Sequence, residues 1–263
     1  MDQDAGLAPP DPTVIQRSVL RHARGLGLPA GARVLDAPCG EGALAAALAA
    51  DGFEAWGTDL DPGAGPVLGD RFVRTDLGGP LPWPDGSFDL VACVEGIEHL
   101  ENGFSFLREA GRLLRGGGLL IVTTPNTVSL RSRVRFFASG FYHRDTLPLT
   151  ESGRHPMHHI GLRTFPELRY ALHTSGFRLV QVGHTHVKPV SYLYSPLAPW
   201  MWLYTLIAFR REKDGPQRAH NQAIRSALFS SSLLWGENLL LVARKTPEPQ
   251  PVEPAARRSP VVV

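Results

Sequence analysis

Cysteine is almost missing: Cys39 and Cys93 are the only two in 263 residues. That excludes a disulfide-stapled scaffold, so stability has to come from a hydrophobic core. A strong charge of either sign is lacking as well. The formal net charge is +2, which by itself does not indicate a nucleic-acid binder. The opening residues, Met1-Asp-Gln-Asp-Ala-Gly, carry no basic region followed by an apolar run, so a reducing cytoplasm is the expected compartment. Internal repeats are absent. Both ends lack the apolar periodicity of a folded element: residues 1–12 are polar and proline-bearing, and the far end runs Thr-Pro-Glu-Pro-Gln-Pro-Val-Glu-Pro. Such compositions bury too little surface to offset ordering entropy. Disordered tails are expected at 1–12 and 246–263, around one domain at 13–245.

What is present is enough for a large core, since 43% of the residues are hydrophobic. The most informative stretch is Arg33-Val-Leu-Asp-Ala-Pro-Cys-Gly-Glu-Gly42. It reads as a short buried strand ending on Asp36, a turn carrying Gly40 and Gly42, and an Ala/Leu helix over Ala43 to Ala50. A dinucleotide site prefers Gly-x-Gly-x-x-Gly with a glycine at the strand end. Here Asp36 stands in that place. A carboxylate repels a diphosphate but suits a cationic amino group, which favours S-adenosylmethionine over NAD.

The rest of the pattern alternates strands and helices. Thr13 to Leu26 reads as a first helix stopped by Gly27 and Pro29. Phe53 to Asp59 is a second strand ending on a carboxylate, where an acid can accept hydrogen bonds from both ribose hydroxyls of an adenosine bound at the first turn. Arg71 to Asp76 is a third strand, again ending on an acid. Phe88 to Cys93 is a continuous apolar run of the kind buried on both faces of a parallel sheet. An amphipathic helix from Gly103 to Arg115 and a fifth strand from Leu119 to Pro125 follow.

Five motifs in this order resemble those of the class I S-adenosylmethionine-dependent methyltransferases: Val-Leu-Asp-Ala-Pro-Cys-Gly-Glu-Gly, Gly-Thr-Asp-Leu-Asp-Pro, Leu-Pro-Trp-Pro-Asp-Gly-Ser-Phe-Asp-Leu-Val, Glu-Gly-Ile-Glu-His-Leu and Arg-Leu-Leu-Arg-Gly-Gly-Gly. They cover roughly residues 30–125, and the chain resembles the ubiquinone-biosynthesis O-methyltransferase-like group. The resemblance implies an α/β, Rossmann-like, doubly wound sheet of seven strands in the order 3-2-1-4-5-7-6, with strand 7 antiparallel. It implies S-adenosyl-L-methionine as cofactor. Asp36, Gly40 and Gly42 would then flank its methionine part, Asp59 would hold the ribose and Asp76 the adenine amino group. Cys39, Leu60, Leu77, Cys93 and Glu95 complete the expected cofactor wall. The bond types agree, because ammonium, hydroxyl and amine are donors and carboxylates accept; ordinary turn roles for these acids are the alternative.

Two further clusters bear on the acceptor. Glu95, Glu98 and His99 share a face if their segment is helical. Two carboxylates and an imidazole resemble the divalent-ion set of methyltransferases that act on diols, catechols or small-RNA ends; the alternative is a helix-start acid with His99 anchoring the loop. No metal ligand is assigned. Downstream, Arg154-His-Pro-Met-His-His-Ile precedes the capping box Thr164-Phe-Pro-Glu167. Relatives line the substrate side with such a segment, which makes His159 the first choice for general base or substrate orienter, with His155 and His158 as alternates.

Phe177 to Gly183 reads as strand six and Leu233 to Arg244 as strand seven with its approach. The gap between them calls for an added subdomain at 188–232. Its Tyr192-to-Phe209 run has no charge, is rich in Trp and Tyr, and is followed by Arg210 and Arg211. Pro196 and Pro199 break it too early for a comfortable membrane span. Peripheral contact at the inner face of a membrane through 192–211, or a lid over an apolar substrate, is expected instead; packing on the sheet edge or on a second copy is the alternative. Arg131, Arg133 and Arg135 suggest an anionic-substrate patch or a solvated helix face.

The expected function is methyl transfer to a small-molecule or lipid-linked acceptor, most often at oxygen. An RNA-end methyltransferase using a divalent metal and a non-catalytic S-adenosylmethionine-binding protein are the rivals, the RNA reading being disfavoured by the weak positive charge.

Overall fold

A computed structural model describes residues 8–142, 148–152 and 157–246. Most of the expected tail residues, and His155 of the histidine segment, lie outside those ranges. Seven strands form one sheet: β1 (Arg33–Asp36), β2 (Glu54–Asp59), β3 (Phe72–Arg74), β4 (Phe88–Val94), β5 (Leu114–Pro125), β6 (Phe177–His184) and β7 (Asn238–Lys245). Their spatial order is β3-β2-β1-β4-β5-β7-β6. β1 to β5 pair in parallel, whereas β7 runs antiparallel between β5 and β6. This is the expected topology.

Two-residue periodicity explains the layering, since successive side chains along a strand point to opposite faces. Val34, Leu90, Ala92, Ile121, Leu240 and Val242 face α1 (Val14–Arg24) and α2 (Ala43–Ala50). Their neighbours Leu35, Val91, Cys93, Leu120, Val122 and Leu241 face the other way, into a core with Phe106, Leu107, Phe165 and Leu168. The short α3 (Gly65–Leu68) follows β2, and α4 (Gly103–Leu113), α5 (Leu130–Ser139) and α6 (Phe165–Thr174) complete the main layers. Helix starts follow local chemistry. Thr13 caps α1 by a reciprocal pair with Gln16, and Glu167 accepts the Thr164 N–H at 2.6 Å at the head of α6.

The proline-rich loop after β3 is pinned by α4. Arg112 donates to the carbonyls of Leu81 and Trp83 and pairs with Asp85 and Glu109. Glu109 in turn accepts the Leu81 N–H, and the Arg112 guanidinium holds its carboxyl below the usual range. The insertion between β6 and β7 holds a helical turn at Pro189–Leu197, then α7 (Ala198–Phe209), α8 (Gly215–Leu228) and α9 (Ser231–Trp235). Pro199 sits in the first turn of α7, where its missing N–H costs nothing.

Candidate functional site

The glycine loop between β1 and α2 is tied to the tip of β2. Asp59 accepts the Gly40 N–H on Oδ2 at 2.8 Å and the Asp61 N–H on Oδ1 at 3.0 Å. The loop and the acid therefore form one wall at the C-terminal edge of the parallel strands, where open α/β sheets hold ligands. Gly40 has a left-handed backbone, φ +54°, and a Cβ there would meet nothing within 4 Å. It is glycine for its backbone and faces open space. Gly57 is glycine for crowding: a Cβ would lie 2.4 Å from Leu68 Cδ1 and 2.9 Å from Cys39 Sγ. Cys39 is thereby buried, and burial pushes its thiol up.

Asp36 lies beneath this loop, 1% exposed, and neither carboxylate oxygen accepts a well-formed hydrogen bond. Burial pushes its pKa well above the ordinary carboxylate range; the Ala45 N–H opposes the rise and the charge of Asp59 adds to it. Asp76 is exposed beyond β3 and accepts the Gly78 N–H at 2.8 Å. Leu60 is exposed beside Asp59, while Leu77 and Cys93 point into the core, so only their backbone can face a ligand.

A second wall begins where β4 ends. Glu95 takes a left-handed backbone, φ +50°, unusual for a residue with a Cβ. Its Oε1 accepts the Thr123 hydroxyl at 3.1 Å and its Oε2 the Asn238 amide at 2.5 Å, which turns the carboxylate toward β5 and β7. The chain then makes a short helical turn at Ile97–His99 rather than a helix. The expected shared face of Glu95, Glu98 and His99 is therefore not formed, because the reversed backbone at Glu95 breaks the helical spacing. The two walls touch: a Cβ on Gly96 would stand 2.2 Å from Pro38 Cδ.

The histidine segment docks onto that turn. Gly161 N–H donates to the Glu98 carbonyl at 2.7 Å, His99 Nδ1 lies 3.1 Å from the His158 carbonyl, and the rings of His99 and His159 are 4.9 Å apart. Since a carbonyl only accepts, a neutral His99 carries its proton on Nδ1 and presents Nε2 as an acceptor. Glu98, His99 and His159 offer ligand atoms within 4.8 Å of one another. One carboxylate and two imidazoles suit a borderline divalent cation. Thus His159, and not Glu95, is the third member of this set.

Three polar residues at the site were not anticipated. Asn126, just past β5, donates to the carbonyls of Leu233 and Gly236 at 3.1 and 2.9 Å and so fixes the turn into β7. Glu237 is buried and pairs with Arg131 at 3.2 Å and Lys188 at 3.1 Å. Asn238 is the partner of Glu95. Their signal was the polar Thr-Thr-Pro-Asn and Gly-Glu-Asn flanking two apolar strands, which meet when Pro125 pairs with Asn238. Two of the three arginines of α5 have partners within the protein. Arg131 is held by Glu237, and Arg133 donates to the Val128 carbonyl and lies over Phe229, where burial brings its pKa down to about 10. Among the described residues no helix is long and apolar enough to cross a membrane.

Known proteins resemble this chain in sequence over part of its length and in fold. A protein of Mycolicibacterium smegmatis named a probable S-adenosylmethionine-dependent methyltransferase is 36% identical over 154 residues, covering 57% of this chain and 53% of that protein. A ubiquinone biosynthesis O-methyltransferase of Xanthomonas campestris pv. campestris is 36% identical over 108 residues, covering 36% of this chain and 44% of that protein. Across the first curated relatives, this chain spans 36% to 53% of their length. The crystal structure of a SAM-dependent methyltransferase from Archaeoglobus fulgidus superposes with a TM-score of 0.51 over 88% of this chain and 94% of that one. At 18% identity this likeness bears on the fold alone. The methyltransferase domain family matches residues 12–182, which hold the glycine loop, the strand-end acids and the histidine segment, and this chain belongs to that family.

Proposed function

We propose that the protein transfers a methyl group from S-adenosylmethionine to an oxygen of a small-molecule or lipid-linked acceptor. The observation that carries this reading is the wall made by Asp36, the Gly40 loop and Asp59, in which a buried carboxyl with no well-formed hydrogen bond sits beneath a glycine turn bonded to a second carboxylate. An orphaned buried carboxyl is costly. A cationic amino group arriving at the glycine turn would relieve that cost, and a diphosphate would increase it. Asp36, Gly40 and Gly42 would hold the amino-acid part, Asp59 the ribose hydroxyls and Asp76 the adenine amine. Cys39, Leu60, Leu77, Cys93 and Glu95 would border them.

The bound sulfonium supplies an already activated methyl group. The protein's own part is then placement of the acceptor and exclusion of water. His159 is assigned to orient the acceptor and take up its proton where the acceptor is poorly ionised. His99, tied to the His158 carbonyl, steadies that ring pair. His158 and His155 remain its alternates.

Calorimetry with S-adenosylhomocysteine and with NAD tests the cofactor, and labelled S-adenosylmethionine with a membrane-lipid extract against a soluble extract tests the reaction. Binding of S-adenosylhomocysteine with labelled product in one extract is expected. Tight NAD binding without S-adenosylhomocysteine binding overturns the reading, and cofactor binding with no product in either extract favours a non-catalytic binding protein.

A second reading is favoured by the Glu98, His99 and His159 set. A divalent cation held there would position vicinal hydroxyls, as on a diol or an RNA end. Under this reading, chelator abolishes product formation, added manganese or magnesium restores it, and RNA binding is salt-sensitive.

A further inference from the structure

We propose that the insertion docks the protein on the surface of an anionic lipid bilayer, through the outer face of α7 and the turn before it. This goes beyond methyl transfer and does not depend on it. No residue of α7 is buried, although the helix is Ala-Pro-Trp-Met-Trp-Leu-Tyr-Thr-Leu-Ile-Ala-Phe. Trp200 is 75% exposed, Tyr204 76% and Ile207 51%, and the spacing of three and four residues puts them on one face with Leu203. The preceding turn adds Leu193, 77% exposed. It is anchored below, where the Trp235 indole donates to Ser195 at 3.0 Å and its ring lies 5.4 Å from that of Tyr192. On α5, Arg133 reaches Met201 of α7, and Phe137, one turn further along that side, is 93% exposed. Exposed apolar side chains thus stand on two elements that this contact joins.

A folded domain does not leave such a face to water without a partner. The charge around it identifies the partner. Arg210, Arg211 and Lys213 follow α7 directly, against Glu212 and Asp214, and α8 adds Arg218 and Arg225, the latter over Trp202, whereas Lys188 is already paired with Glu237 and the whole chain carries a net charge of only +2. Between Lys188 and Arg211 there is no acid at all. Trp and Tyr rings with a basic rim match the headgroup layer of a bilayer containing acidic lipid. A second copy of the chain fits less well, because a two-fold contact would gather the same basic residues on both sides. The geometry also fixes the mode. At about 1.5 Å per residue the helix is about 18 Å long, well short of a hydrocarbon core of about 30 Å, so it lies along the interface.

The test uses the full chain, without donor or acceptor, and large unilamellar vesicles of phosphatidylcholine with or without one part in three of phosphatidylglycerol. Co-sedimentation with the phosphatidylglycerol vesicles, weakening as salt is raised, is the expected result. Trp200→Ser combined with Tyr204→Ser should lower the partition coefficient by about tenfold or more. Arg210→Gln combined with Arg211→Gln should remove most of the preference for acidic lipid. Thermal melts of both variants matching the parent show that the fold is intact. No sedimentation with vesicles, or sedimentation unchanged by the aromatic variant, overturns the proposal. So does a concentration-dependent dimer that the aromatic variant dissolves, or binding to short single-stranded RNA that vesicles do not displace. Because the readout needs no methyl transfer, its failure leaves the catalytic reading standing, and the reverse also holds.

Discussion

Asn238, at the start of β7, donates its amide to the Glu95 carboxylate at 2.5 Å across 143 residues of sequence. The bond joins the last strand in sequence to the reversed backbone at the end of β4, and it fixes where the second wall of the site stands. Replacing Asn238 by Ala leaves a half-buried carboxylate with one donor fewer. A loss of about 1–3 kcal/mol is expected, with turnover reduced more than cofactor affinity. Denaturant unfolding together with calorimetry checks both halves.

Asp59 bonds two backbone amides, Gly40 and Asp61, and is the acid assigned to the ribose. Asp59→Ala should weaken cofactor binding by about 1–3 kcal/mol through lost charge-assisted bonds. Titration with S-adenosylhomocysteine measures this, and unchanged affinity would refute the ribose assignment.

Asp36 sets stability against binding. Its folded pKa is raised by burial, so the stability of the cofactor-free protein is fully present below the unfolded value near 3.9 and is lost as pH rises through the folded pKa. Asp36→Asn should therefore raise the melting temperature of the cofactor-free protein at neutral pH, by about 2–4 °C for each kcal/mol recovered. The same variant should bind the cofactor more weakly. A lower melting temperature across the whole pH range would remove the argument.

His184 gives the opposite pH sign. Burial lowers its pKa, helped by the charges of His186 and His22, so it contributes stability above the ordinary value near 6.5 that is lost as pH falls through the folded pKa. His184→Gln should flatten the decline in stability as pH falls below about 6.5. Melting curves across that range provide the comparison.

His159→Ala should spare cofactor affinity and lower turnover by about 10²–10⁴-fold if the ring is the acceptor-side base. Glu98→Gln provides the contrast. If a divalent ion organises the acceptor, both variants lose binding of manganese measured by calorimetry; if not, only His159→Ala affects turnover.

The donor side of the site was legible because its chemistry is local. Asp36, Gly40 and Asp59 lie in short motifs whose strand–turn–helix context follows from apolar periodicity, and the sheet order came with the motifs. Strand limits were less legible: β3 is only Phe72–Arg74, and β5 begins at Leu114, before the glycines. The acceptor side depends on pairings between remote segments. Nothing near Glu95 in sequence announces Asn238, nothing near Arg131 announces Glu237, and the reversed backbone at Glu95 replaced a helical face that spacing alone suggested.

The placement of β7 also sets an order of assembly. β6 pairs with β7 and, among the described residues, has no other neighbour in the sheet, so during synthesis the strand and the whole aromatic insertion emerge before the segment that joins them to β5. Until Asn238–Lys245 is available, β6 is an unpaired edge and α7 is unsupported apolar chain. Such species are prone to aggregate. The final closing strand therefore completes the site and the sheet in a single event, and the nascent protein is most in need of shielding just before it.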